Sequence, residues 1–304
     1  MMRFAAELAL LTLSATAGVA QQEPTFHVEV PLVNVFVSVT DKAGAPIGGL
    51  TKDDFLLYEN GKAQNIAVFE RDTSAPLAIV LAVDLSGSVY KDFAQEQSAA
   101  QRFAKDVLRR QDRADVVAFA DGTREVTGFT GDAKRIGSGL GELHPGAGGT
   151  AFYSTVSLAS GLLKPEHGRR VLVMISDGDN TVNGVSYQDA LDEAVRDEVM
   201  IYSVIDVPVA ASAGRDLAGE HAMITLAEQT GGRAYYADQA SLDQIFRRIA
   251  DDLRTQYLLG YYPHKPEPGE DGGFRSIAVK MSDVANNAKY SVRNRPGYYA
   301  NAPR

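Results

Sequence analysis

In the segment Leu77-Ala78-Ile79-Val80-Leu81-Ala82-Val83-Asp84-Leu85-Ser86-Gly87-Ser88, a continuous apolar run breaks into a carboxylate followed by two hydroxyls at alternate positions. Seven apolar residues without polar alternation are typical of a strand buried on both faces. Downstream, Phe93, Ala100, Phe103, Ala104, Val107 and Leu108 recur at helical spacing, and Arg109-Arg110 close that stretch. Further apolar strands are expected at residues 116–120, 171–175 and 201–205, with helical patterns through Leu191 and Val195 and around 224–229. A short strand at 234–236 follows Gly231-Gly232. Ser241 is placed to cap a helix that carries Leu242, Ile245, Ile249 and Leu253 on one face. Alternation of this kind implies an α/β fold: a doubly wound, mostly parallel sheet of Rossmann type with helices on both faces.

On either side the rhythm changes to period two. Val33, Val35, Val37 and Val39 alternate with Asn34, Phe36, Ser38 and Thr40, as a half-buried strand should. Asn60-Gly61 is a hairpin signal, with short strands expected around 55–58 and 66–70 on its flanks. Beyond Thr255, strands are expected at 257–262 and through Ile277, Val279 and Met281, joined by a loop rich in proline, glycine and acid at 263–273. Both sets are too small to stand alone and are expected to pair into one small β subdomain. The resulting division is a signal peptide over 1–20, an N-terminal β segment over 21–74, the α/β domain over 75–255 and a C-terminal β extension over 256–304.

The signal peptide rests on Arg3, the small apolar run from Phe4 to Val19, and Gly18 and Ala20 ahead of the polar Gln21-Gln22. The mature chain is therefore expected outside the cytoplasm, periplasmic or extracellular, with no membrane span. The formal net charge of −9 argues against nucleic acid as a partner. There are no cysteines, which excludes disulfides, thiolate metal sites, cysteine nucleophiles and a lipid-anchored N-terminal cysteine. No GxGxxG follows the first strand of the α/β part and no GxxxxGK[ST] occurs, so a nucleotide-binding variant is disfavoured.

In doubly wound sheets ligands sit beyond the carboxyl ends of the strands. Three segments fall at such places: Asp84-Leu85-Ser86-Gly87-Ser88, Gly148-Gly149-Thr150, and Ser176-Asp177-Gly178-Asp179. Their carboxylates and hydroxyls are all oxygen donors, which suits a hard cation such as Mg²⁺. Gly87 would relieve crowding in the first turn, and Gly148-Gly149 would let Thr150 come close. Asp179 is read as facing solvent or bracing the site rather than ligating, and His144 as a surface loop residue. Taken singly each segment has a plainer reading, a capped helix start or a turn; their order along the chain sets them apart.

Asp84, Ser86, Ser88, Thr150 and Asp177 resemble the metal-ion-dependent adhesion site of von Willebrand factor type A domains, and the similarity spans about residues 76–253. The resemblance implies that Ser86 and Ser88 bind the metal directly, that Thr150, Asp84 and Asp177 bind directly or through water, and that a ligand's own carboxylate completes the sphere. The flanking segments Gly49-Leu50-Thr51-Lys52-Asp53-Asp54-Phe55, Gly61-Lys62 and Arg295-Pro296-Gly297-Tyr298-Tyr299 resemble a bacterial, acidobacterial subgroup of von Willebrand A-related proteins. The implied function is binding rather than catalysis: a metal-dependent protein-binding module using Mg²⁺, Mn²⁺ or Ca²⁺, whose partner presents Asp or Glu. The alternative is a metal-dependent hydrolase or phosphotransferase with Asp84 as nucleophile. That chemistry wants a second acid where this chain has Ser86, and a lysine for which no candidate stands out.

Overall fold

A computed structural model of the protein describes residues 32–71, 75–87, 93–206, 217–237, 241–264, 273–283 and 288–300. The expected signal peptide lies outside the described residues, as do Ser88 and most of the 263–273 loop. The N-terminal strands are β1 (Val33–Thr40), β2 (Phe55–Glu59), β3 (Lys62–Gln64) and β4 (Val68–Glu70). The middle of the chain runs β5 (Leu77–Asp84), α1 (Phe93–Val107), β6 (Arg113–Phe119), β7 (Thr123–Glu125), α2 (Ala133–Gly141), α3 (Phe152–Leu163), β8 (Arg169–Ser176), α4 (Tyr187–Arg196) and β9 (Val199–Ile205). It continues with α5 (Leu217–Gln229), β10 (Ala234–Tyr236), α6 (Leu242–Thr255), β11 (Tyr257–Tyr261), β12 (Phe274–Met281), β13 (Ser291–Arg293) and β14 (Gly297–Tyr299).

All eight residues of β5 are buried, which explains its lack of polar alternation. Leu77, Ile79, Leu81 and Val83 point into a core shared with α1, α2 and α6. Ala78, Val80 and Ala82 point the other way, into a core shared with α3, α4 and α5. The six-stranded sheet has the order β10-β9-β8-β5-β6-β7, parallel except for β7, which returns antiparallel beside β6. The chain leaves β5 for β6 on one side and reaches β8 on the other. The direction of winding therefore reverses between β5 and β8, the place where open α/β sheets form a crevice.

The remaining strands form two four-stranded sheets, β13-β1-β11-β4 and β14-β12-β2-β3, which share one core. β12 alternates without exception, with Arg275, Ile277, Val279 and Met281 inward. Its partner β2 comes from the N-terminal segment, Val279 lying opposite Leu57. β1 likewise pairs with β11 and β13, so strands from both ends of the chain close this sandwich together.

Two details depart from the sequence reading. Ser38 and Thr40, on the polar face of β1, are buried. That face rests against the α/β domain, where Phe36 meets its core and Ser38 accepts a hydrogen bond from Gln256 at 3.2 Å. The hairpin partner of β2 is Lys62–Gln64 rather than 66–70. A two-residue Asn-Gly turn puts Lys62 directly opposite Glu59, and the chain then crosses to place Val68–Glu70 beside β11 in the other sheet. The sandwich contacts the end of the central sheet where β8 begins, Phe36 of β1 lying against the Arg169 guanidinium. No described helix is long and apolar enough to cross a membrane.

Candidate metal centre

β5 delivers Asp84 to the crevice with none of its surface exposed. One carboxylate oxygen accepts the Ser86 backbone N–H at 2.8 Å, and the other accepts the Ser176 hydroxyl at 2.6 Å. Ser176 Oγ also accepts the Gly178 N–H at 3.1 Å, so a single hydroxyl ties the ends of β5 and β8 together. Burial pushes the Asp84 carboxyl up to about 6 against the pull of these hydrogen bonds, and the nearby charge of Asp177 adds to the rise. Among the described residues neither Asp84 nor Asp177 is in an ion pair.

The loop after α2 is hung across this crevice. The Gly146 N–H donates to the Leu85 carbonyl at 2.8 Å, and the Ala151 N–H to the Ala120 carbonyl at 2.7 Å. Thr150 lies between them, 2% exposed. Its N–H donates to Thr181 Oγ1 at 2.7 Å and its carbonyl accepts the Thr181 N–H at 3.0 Å. The Gly149 N–H donates to Asp121 at 2.5 Å. Glycine keeps this loop close to its neighbours: a Cβ at Gly148 would press on the Asp121 carboxylate and one at Gly149 on Thr181 Oγ1, so either side chain would have to shift. Gly87 is different, since a Cβ there would meet only the Gly146 carbonyl at an ordinary 3.8 Å.

Asp84, Ser86, Thr150 and Asp177 are thus gathered on the loops at the carboxyl edge, while Ser88 lies outside the described residues. Asp177 is half-buried and accepts the Asp179 N–H at 3.2 Å, so the backbone of Asp179 braces it. His144 is exposed. Three residues that hold the loops in place had no role in the sequence reading. Asp121 stands just past β6, where the strand-end rule could have found it; Ser176 lay unused inside the quoted segment; Thr181 carried no signal.

The donor set fits a hard divalent cation. Two carboxylates without a cationic partner among the described residues, one of them buried, stand beside hydroxyls, and every side-chain donor is oxygen. The described residues contain no group of three or more His, Cys, Asp or Glu side chains able to hold a metal, so a cation here must rely on hydroxyls and water as well.

Residues 79–180 match the family model of the von Willebrand factor type A domain. The chain contains a von Willebrand factor type A domain. The von Willebrand factor type A protein of Catenulispora acidiphila has a TM-score of 0.51 and 15% identity, over 82% of this chain and 73% of that one. Proximal thread matrix protein 1 from the mussel byssus also has a TM-score of 0.51, with 19% identity over 66% of this chain and 51% of that one. At such identities the likeness is one of fold: an A domain with a mainly parallel central sheet flanked by helices. No curated protein matches the chain.

Proposed function

We propose that the protein is an exported binding module, periplasmic or extracellular, whose A domain holds one divalent cation and captures a protein partner through it. The cation is Mg²⁺, with Mn²⁺ or Ca²⁺ as substitutes. Its ligands are Asp84, Ser86, Ser88, Thr150 and Asp177, Ser88 being included on the motif alone. The observation that carries this reading is Asp84, a fully buried carboxylate whose carboxyl is raised by burial and further by the charge of Asp177, and which has no ion-pair partner among the described residues. A protein keeps such a pair when a cation neutralises it. The bound cation supplies an electrophilic position for an anionic ligand, best filled by an Asp or Glu of the partner. The chain's own groups hold that position open: Ser176 orients Asp84, while Asp121 and Thr181 fix the loop that carries Thr150.

Binding is favoured over catalysis because a catalytic metal needs a base, acid or nucleophile placed to use its polarised water. The side chains bonded into this site are carboxylates and hydroxyls: Asp84 holds the Ser176 hydroxyl, and Asp177, Asp121 and Thr181 take up backbone N–H groups. Export rests on the leader-like residues 1–20.

The test is capture from an envelope fraction by the immobilised full chain. Capture should require Mg²⁺, vanish with EDTA, and fall at least tenfold in Ser86→Ala and Thr150→Ala variants that melt like the wild type. Capture indifferent to EDTA would defeat the proposal. Phosphatase or esterase turnover that disappears in Asp84→Asn would favour the hydrolytic alternative.

A further inference from the structure

Asn-Gly occurs in this chain at Asn60-Gly61 and at Asn183-Gly184. The dipeptide carries a chemistry of its own, because the glycine nitrogen can attack the asparagine side-chain carbonyl carbon and close a succinimide ring. The reacting groups are neighbours in the chain, so no bimolecular encounter is needed. Glycine has no Cβ to shield the nitrogen. In a folded protein the reaction is controlled by whatever holds the carboxamide and the backbone that follows it.

The structure holds the two sequences in opposite ways. Asn60 and Gly61 form the tight turn between β2 and β3, with φ 48° and 76°, a turn that fixes both residues. Asn60 Oδ1 accepts the Ser276 backbone N–H at 2.9 Å and the Ser276 hydroxyl at 3.3 Å. The Asn60 N–H donates in turn to the Ser276 carbonyl at 3.0 Å, so this carboxamide is tied to β12. Asn183 and Gly184 lie in the loop between β8 and α4, and both are exposed. Among the described residues neither the Asn183 carboxamide nor the Gly184 N–H makes a hydrogen bond. Asn180 in the same loop gives the contrast: its Oδ1 accepts the Tyr153 N–H and its Nδ2 donates to the Val182 carbonyl, each at 3.2 Å. Residues on either side of the exposed pair are pinned. The N–H groups of Thr181 and Val182 donate to the Thr150 carbonyl at 3.0 and 3.3 Å, and Ser186 caps α4.

We propose that Asn183 is a site of spontaneous deamidation in the folded protein, adding a carboxylate to the loop that braces Thr150. The Gly184 nitrogen bonds to Asn183 Cγ, the Cγ–Nδ2 bond breaks, and the side-chain nitrogen leaves as ammonia together with the Gly184 proton. One water then opens the succinimide. Attack at the main-chain carbonyl yields isoaspartate, with the chain rerouted through the former side chain; attack at the other carbonyl yields aspartate. Either product carries one new negative charge, and water is the only co-reactant. Isoaspartate also lengthens the main chain next to Val182, which is bonded to the Thr150 loop. The reaction needs no bound cation, so it stands apart from the proposed mode of partner capture.

Peptide mass mapping of the full chain, aged at mildly alkaline pH either folded or in urea, tests this. Trypsin places the two sequences on separate peptides, 53–62 and 171–196, so each sample carries its own comparison. In the folded protein the amide-to-acid mass gain should appear at Asn183 at least tenfold faster than at Asn60, with isoaspartate detected by enzymatic methylation. In urea the two should convert at similar rates, since the difference comes from folding. Asn183→Gln, whose side chain must close a larger and slower-forming ring, should leave peptide 171–196 unconverted. Conversion of Asn183 no faster than that of Asn60 in the folded protein would overturn the proposal. So would a faster rate at Asn183 that persists in urea, or a mass gain located at Asn180.

Discussion

Arg293→Ala should cost the protein about 3–5 kcal/mol, the loss expected when one partner of a buried ion pair is removed and the other stays behind. Arg293 lies on β13 of the sandwich, and its Nη2 donates to Asp252 on α6 of the A domain. Both are largely buried, with side chains 18% and 8% exposed. Asp252 also accepts the hydroxyl of the fully buried Tyr202, and Arg293 Nη1 donates to the Gly231 carbonyl. Burial alone would raise the Asp252 carboxyl, but the charge of Arg293 and hydrogen bonds from Ser38 and Tyr202 outweigh it and hold it below 3.8. A carboxyl depressed by folding stabilises above its unfolded value and loses that contribution as the pH falls through its folded one. The wild type should therefore weaken below about pH 4, and Arg293→Ala should lack that part of the acid dependence. Urea titrations across pH 3–7 measure both. A loss under about 1 kcal/mol at pH 7 would mean that this ion pair does not bind the sandwich to the A domain.

Gly232→Ala should be of comparable severity for a steric reason. After α5 the chain closes a Schellman motif: the Gly232 N–H donates to the Ala227 carbonyl at 2.9 Å and the Gly231 N–H to the Glu228 carbonyl at 3.2 Å. Gly231 holds the left-handed position with φ 82°. Gly232 then passes so close to β9 that a Cβ would overlap the carbonyl of Ile201. The obstacle is backbone within a buried strand, so no rotamer change relieves it. A loss of about 3 kcal/mol or more follows from overpacking of this kind, lowering the melting temperature by roughly 6–12 °C. A variant that melts with the wild type would show that β9 and β10 are not held at this spacing.

The parts of the fold that were legible share a physical origin. β5, β8 and β9 are buried on both faces, so each carries an apolar run without polar alternation (77–83, 171–175 and 199–202), and the helices that cover them carry stripes. β12 has one wet face and alternates accordingly. α2 was not foreseen. Its sequence, AKRIGSGLG, contains three glycines, each unfavourable by about 1 kcal/mol in a helix interior. Burial of Ile136 and Leu140, an Asp132 cap and close passage of Gly139 against Thr127 make it a helix nonetheless. The burial of Ser38 and Thr40 was hidden because their cover is a separate part of the chain. At the candidate metal centre, the residues proposed as ligands were visible through their spacing. The residues that hold them, Ser176, Thr181 and Asp121, act through a few hydrogen bonds between segments far apart in sequence, and no local pattern marks that.

Calorimetric titration of the metal-free full chain with Mg²⁺, beside Asp84→Ala, tests the metal centre most directly. The wild type should bind one ion, weakly in the absence of a partner, and Asp84→Ala should bind none while melting as a folded protein. Since the ion must displace a proton from Asp84 below pH 6, affinity should fall about tenfold for each further pH unit. Unchanged Mg²⁺ binding in a folded Asp84→Ala variant would contradict the assignment of this site and, with it, the proposed mode of partner capture.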